Sequence, residues 1–179
     1  MKEIERAVEL DPLSGIIMEN LGEYYYFKRD FVKAVEKFKI ALGLGFEGAH
    51  ASLAMAYGEM KEYGQMEKEA ELWVTRYAQE VPRIQTNVDA GRAYYRSDKE
   101  ALRRLLPDIE AHLEEVGMTE YNLAGYYFFL GDADKGFELL ELAYAKKNSS
   151  LLNIRYDWDL DGVRDDPRYL DLLKRLGLD

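Results

Sequence analysis

At 179 residues, with 47% hydrophobic and 32% charged side chains, the chain has the composition of a folded globular protein and not of a disordered one. Its formal net charge of −10 and lack of any long basic cluster argue against a nucleic-acid or anionic-membrane surface. No uncharged apolar stretch approaches the ~18 residues of a membrane span, and the absence of cysteine rules out disulfides, thiolate nucleophiles and cysteine-bound zinc, which fits a cytoplasmic protein.

In chain order, Met1-Lys2-Glu3-Ile4-Glu5-Arg6 is charged and helical in character, with no apolar signal core. Four later segments each carry an aromatic pair, or its remnant, before a polar turn. They centre on Tyr25, Tyr57, Tyr94 and Tyr127, which lie 32, 37 and 33 residues apart, the length of one helix–turn–helix unit. After the first, apolar residues fall at Phe31, Val35, Phe38, Ala41 and Leu42, the spacing of one helix face, with Asp30 placed to cap it. Ser97-Asp98-Lys99-Glu100 offers a capping-box spacing at the corresponding place in a later unit. Pro107 predicts a broken or kinked helix near Leu106. Gly131-Asp132 reads as one helix ending and another starting. In the tail, Asp166 can cap and Pro167 suits a first helical position, with Tyr169, Leu170, Leu172, Leu173 and Leu176 as an apolar face. No sustained period-two alternation bounded by hairpin turns occurs, so the expected class is all-α.

Leu21-Gly22-x-x-Tyr25, followed by Ala34, Phe38 and Ala41, resembles the signature of the tetratricopeptide repeat family. Leu53-Ala54-x-x-Tyr57 and Ala90-Gly91-x-x-Tyr94 keep the first-helix part. Met66, Ala70 and Trp73 then replace the usual set, and Pro107 interrupts the third unit. Leu123-Ala124-x-x-Tyr127 with Gly136, Leu140 and Ala143 matches again. Arg6-Ala7-Val8-Glu9-Leu10-Asp11-Pro12 is similar to the end of a preceding second helix, an odd start that points to a longer or degenerate array. Residues 164–178 are similar to segments that close repeat arrays in prokaryotic multidomain regulators. The resemblance implies a right-handed α-α superhelix, a solenoid with a C-terminal capping helix. It forms one domain: a partial repeat at 1–12, repeats at about 14–46, 47–81, 82–116 and 117–148, and a capping tail at 149–179.

Several motifs invite other readings. Gly43-x-Gly45-x-x-Gly48 spells a dinucleotide fingerprint, but it follows a helix where a strand is required, and a turn is expected. Asp157-Trp158-Asp159-Leu160-Asp161-Gly162 begins like a calcium loop, yet its twelfth position is Arg168 where a glutamate should stand, so a solvated acidic loop is expected. His50 and His112 lack partner spacing and read as surface or packed side chains. No nucleophile motif occurs, and paired carboxylates such as Glu67/Glu71 read as solvated helix charge.

The expected function is therefore protein or peptide binding without catalysis, cofactor or metal; the alternative is a regulatory or oligomerising region of a larger signalling or transcription protein. One tyrosine of each pair, at Tyr25, Tyr57, Tyr94 and Tyr127, is expected in the core. In tetratricopeptide arrays first helices line the concave surface. The resemblance thus places Glu23, Tyr26, Phe27, Met55, Arg92, Tyr95, Tyr121 and Phe128 at or near a groove. Glu19, Asn20 and Glu23 occupy the places where chaperone-tail adaptors carry a lysine and asparagine carboxylate clamp, so an acidic C-terminal ligand is not expected. A homodimer through an exposed terminal repeat edge is compatible with this reading; nucleic acid and membrane are not expected partners.

Overall fold

The computed structural model describes residues 2–178. After α1 (Lys2–Leu10), helices follow in adjacent packed pairs: α2 (Gly15–Phe27) with α3 (Phe31–Gly43), α4 (Ala49–Glu59) with α5 (Tyr63–Tyr77), α6 (Ile84–Tyr95) with α7 (Lys99–Ala111), and, after the single turn α8 (Leu113–Val116), α9 (Glu120–Leu130) with α10 (Ala133–Ala145). Two 3-10 segments, Ser149–Asn153 and Trp158–Val163, lead to α11 (Pro167–Leu176). Among the described residues there is no strand, and no helix is long and apolar enough to cross a membrane.

One turn design joins all four pairs. Arg29, Lys61, Ser97 and Gly131 take positive φ angles of 59, 59, 57 and 91°. The next amide in each case, from Asp30, Glu62, Asp98 and Asp132, donates to the carbonyl five residues back, at 2.8 to 3.0 Å. This closes the first helix as a left-handed C-terminal motif. Asp30, Asp98 and Asp132 then cap the second helix by accepting from the amides of Lys33, Ala101 and Lys135. The spacing around Ser97 therefore misleads. Ser97 is the left-handed residue and Asp98 the cap; the true capping box is Thr119 with Asn122 at the start of α9.

Small residues set how closely paired helices approach. A Cβ on Gly22 of α2 would overlap the ring of Phe38 on α3, which is 1% exposed, and a Cβ on Gly136 of α10 would stand 2.6 Å from the ring of Phe128 on α9. Ala34, Ala41 and Ala143 are fully buried at the same contacts. The aromatic pairs depart from expectation. Of Tyr25, Tyr57, Tyr94 and Tyr127 only Tyr57 is buried, whereas Tyr26 is, at 7% exposure. Tyr25, Tyr94 and Tyr127 are half-buried, and the hydroxyls of Tyr94 and Tyr127 donate to Asp159 and Glu110 while their rings pack.

The break expected near Leu106 does not occur. α7 runs through Pro107 to Ala111, with Leu106 and Ile109 buried and Pro107 exposed. Arg103, whose carbonyl loses its donor to the proline, lies exposed where water can serve it. Of the expected apolar face of α11, Tyr169, Leu172 and Leu173 are buried, but Leu170 is 53% exposed.

The chain divides into two compact units, Met1–Glu80 and Val81–Asp179. In the second, the tail is part of the core: Leu151, Ile154, Leu160, Tyr169 and Leu172 join Leu123, Leu140 and Leu102 in one buried cluster. Arg164 ties the tail together, donating to the carbonyls of Arg155 and Asp157 and to the Tyr169 hydroxyl at 2.9 to 3.0 Å.

Candidate partner-binding face

In the first unit, α2 and α4 lie side by side in parallel register. The Ser52 hydroxyl donates to Glu19 Oε1, and the Tyr26 hydroxyl donates to Glu59 Oε1 at 3.5 Å; both pairs span 33 residues, one structural unit. Glu19, Glu23 and Tyr26 therefore form a stripe on α2, spaced by four and three residues, opposite Ser52, Met55 and Glu59 on α4. Glu19 is 6% exposed and its Oε2 has no hydrogen-bond partner. Burial pushes its carboxyl up to about 7, against the Ser52 hydrogen bond, and neighbouring Glu23 adds to the rise. Glu23 presents an open surface, but the protein mass around it removes enough water to raise its pKa as well.

In the second unit the comparable face, on α6 and α9, already holds a segment of chain. Tyr121 donates to Asp157 Oδ2 at 2.7 Å, and Tyr94 donates to Asp159 Oδ1. Gly125 lets this segment approach: a Cβ there would stand 3.0 Å from Asp159 Oδ2. Tyr94 packs on Tyr126 and Phe129 with ring centroids 5.9 and 4.8 Å away. Burial, reinforced by Asp157, pushes the Tyr121 phenol well above its usual range and keeps it a donor. The acidic loop is accordingly only partly solvated, with Asp157 and Asp159 half-buried and Asp161 exposed. Asp157 caps the 3-10 turn through the Asp159 amide, and Asp161 accepts from Arg164. Among the described residues no group of three or more metal-ligating side chains gathers.

Of the eight residues expected at a groove, Glu23, Tyr26 and Met55 meet on the α2–α4 face. Phe27 contacts the Tyr26 ring edge-on at 5.7 Å. In the second unit Arg92 donates to Asp89 at 2.7 Å, Tyr95 stacks edge-on with Tyr94 at 5.0 Å, and Tyr121 holds the tail. Phe128 turns to its paired helix, edge-on to Phe137 at 5.2 Å. Sequence reading placed Glu19 at a clamp position but missed Ser52 and Glu59 as members of the face, and Gly125 and Asp159 as a docking pair. The signal for the first group was present, in two pairs one repeat length apart. The glycine-rich run at 43–48 ends α3 and starts α4, with Gly45 at φ 86° and no strand before it. His50 Nδ1 sits 2.7 Å from Glu69 Oε2, and His112 Nδ1 lies 3.1 Å from the Asp108 carbonyl. A shallow open cleft lined by Arg103, Leu106, Tyr127, Leu130 and Asp132 lies beside the α9–α10 turn. No family model matches the chain, and no curated protein matches it.

Proposed function

We propose that the chain is a tetratricopeptide-type repeat module, a right-handed solenoid whose first-helix faces bind a peptide or partner domain, with no catalytic role of its own. The recurring turn, the parallel α2–α4 register and the glycine–aromatic contacts support the repeat reading. One observation carries the binding reading: the α6–α9 face holds residues 157–161 of the same chain through tyrosine donors and a glycine that opens space. A face that seats one segment of polypeptide is chemically equipped to recognise another. Selection of randomised dodecapeptides on the folded chain, followed by NMR mapping of the enriched peptides, tests this. Perturbed amides on α2, α4, α6 or α9 are expected; no enrichment, or mapping to α3, α5, α7 or α10, refutes it.

A second reading, an oligomerising region of a larger regulator, draws on one observation. Leu10 and Leu13, each 76% exposed, and Ile16, 57% exposed, leave apolar surface beside the α1–α2 turn. Light scattering across a concentration series should then show a dimer that Leu13→Glu abolishes; a monomer at every concentration rejects this reading.

A further inference from the structure

Among the described residues three glutamates are buried, and two of them face a nitrogen group. Glu69 lies against His50 Nδ1, and Glu120 accepts from the Lys146 ammonium, which holds its carboxyl below the usual range. Glu19 has only the Ser52 hydroxyl, on Oε1, and its Oε2 is buried with nothing to accept from. A buried acceptor left unmatched is costly, and more so when charged. One turn further along α2 stands Glu23, a second carboxylate with no cation shown beside it, and across on α4 stands Glu59.

We propose that the α2–α4 face binds a partner through an arginine side chain whose guanidinium sits between Glu19 and Glu23. The inference rests on the partner-binding reading and names the chemistry of that partner. A guanidinium carries five donors in a planar fork, so one group can reach exposed Glu23 and also serve Glu19 once that carboxylate turns outward to present its buried Oε2. Exposed Met55, three residues beyond Ser52 on α4, and the Tyr26 ring offer apolar surface to the arginine stem. An acidic segment such as 157–161 would meet only like charge here.

The protonation state of Glu19 gives the binding a pH signature. From its own helix Glu19 faces Glu23. From α4 it faces Ser52, while His50 turns to Glu69 of α5. On α3 the cations Lys33 and Lys37 are paired with Asp30 and Glu36, and Lys39 lies over the Tyr57 ring. The described charged side chains of α1, Arg6 and Glu9, are exposed. With a pKa near 7, the ionised fraction of Glu19 rises from about one-tenth at pH 6 to about nine-tenths at pH 8. Arginine binding should therefore tighten about tenfold across that interval, with proton release.

The test is an NMR titration of the full chain with acetyl-Arg-Arg-amide, and with acetyl-Glu-Glu-amide as the opposite charge. Saturable shifts of α2 and α4 amides are expected with the arginine peptide. They should weaken at least fivefold in Glu19→Gln and stay unchanged in Glu36→Gln, which removes the same charge from α3. Shifts scattered over the acidic surface, or no saturable shift, would overturn the proposal. So would binding at this face that ignores Glu19→Gln, although that result would leave the partner-binding reading intact. Amide spectra of each variant report whether it is folded.

Discussion

Removing the charge of Glu19 should make the protein more stable, and increasingly so as pH rises. In the unfolded chain this carboxyl titrates near 4.5, and in the fold near 7. Below 4.5 it is neutral in both states and costs nothing. Between the two values the unfolded chain gives up its proton first, so each step upward in pH favours unfolding. Above 7 the full penalty applies, roughly 3 kcal/mol at ~1.4 kcal/mol per pKa unit. Glu19→Gln keeps the shape and the acceptor for Ser52 but cannot ionise. Its stability advantage over the parent should grow by about 2 kcal/mol between pH 5.5 and 8.5. Any fixed cost of the amide shifts both ends equally and leaves this growth unchanged. Trp73 lies in the first unit and Trp158 in the second. Urea titrations in a Trp158→Phe background, followed by Trp73 fluorescence, therefore report on the unit that holds Glu19. Parallel pH profiles for the Gln variant and the parent would refute the reasoning, because they would mean that Glu19 is as well solvated in the fold as in the unfolded chain.

Other substitutions probe the packing. Gly22→Val forces a branched side chain into the Phe38 ring and should cost about 2–4 kcal/mol in the Trp73-monitored transition; a loss below about 0.5 kcal/mol would show that α2 and α3 can separate freely. Tyr121→Phe leaves half-buried, charged Asp157 Oδ2 without its donor and should lower the stability of the second unit, read by Trp158 fluorescence, by about 1.5–3 kcal/mol. Leu160→Ala, at a residue 2% exposed, should cost about 2–5 kcal/mol in the same transition if the tail is core and not an appended strap. Asp98→Ala removes one helix cap and should cost about 1 kcal/mol, measured as a shift in thermal midpoint.

Helix positions were legible because they depend on local signals. Asp30, Asp132 and Asp166 all cap where their place before an apolar run suggested, and the cap expected at Ser97 falls one residue later, on Asp98. Gly22 and Phe38, both picked out by the resemblance to tetratricopeptide repeats, meet as a small–large pair. Side-chain facing was less legible. Tyr25 and Tyr26 differ by about 100° around the helix, and which one is buried depends on how α4 lies beside α2, a non-local fact. Pro107 does not break α7, for a related reason: its penalty depends on whether the orphaned carbonyl can reach water, and here Arg103 is exposed. The loop at 157–162 was read as solvated because its calcium pattern fails at Arg168 and its aspartates then had no evident partner. Tyr94 and Tyr121, some sixty and forty residues earlier, turn two of them into half-buried acceptors.

The two first-helix faces have opposite chemistry, and this bears on what each can hold. On α6 and α9 the polar groups are phenols, of which Tyr121 is held a donor by burial that raises its pKa, and what they hold is a pair of aspartates. On α2 and α4 the stripe is led by carboxylates that can only accept once ionised, and the donors there, Ser52 and Tyr26, are already turned to Glu19 and Glu59. A segment rich in aspartate satisfies the first face and is repelled by the second. A segment bringing arginine does the reverse, and it would recover the free energy that the unmatched Glu19 costs the empty fold. On this argument Glu19→Gln should gain stability and lose arginine binding together. A variant that gained one without losing the other would separate the strain at Glu19 from any role in recognition.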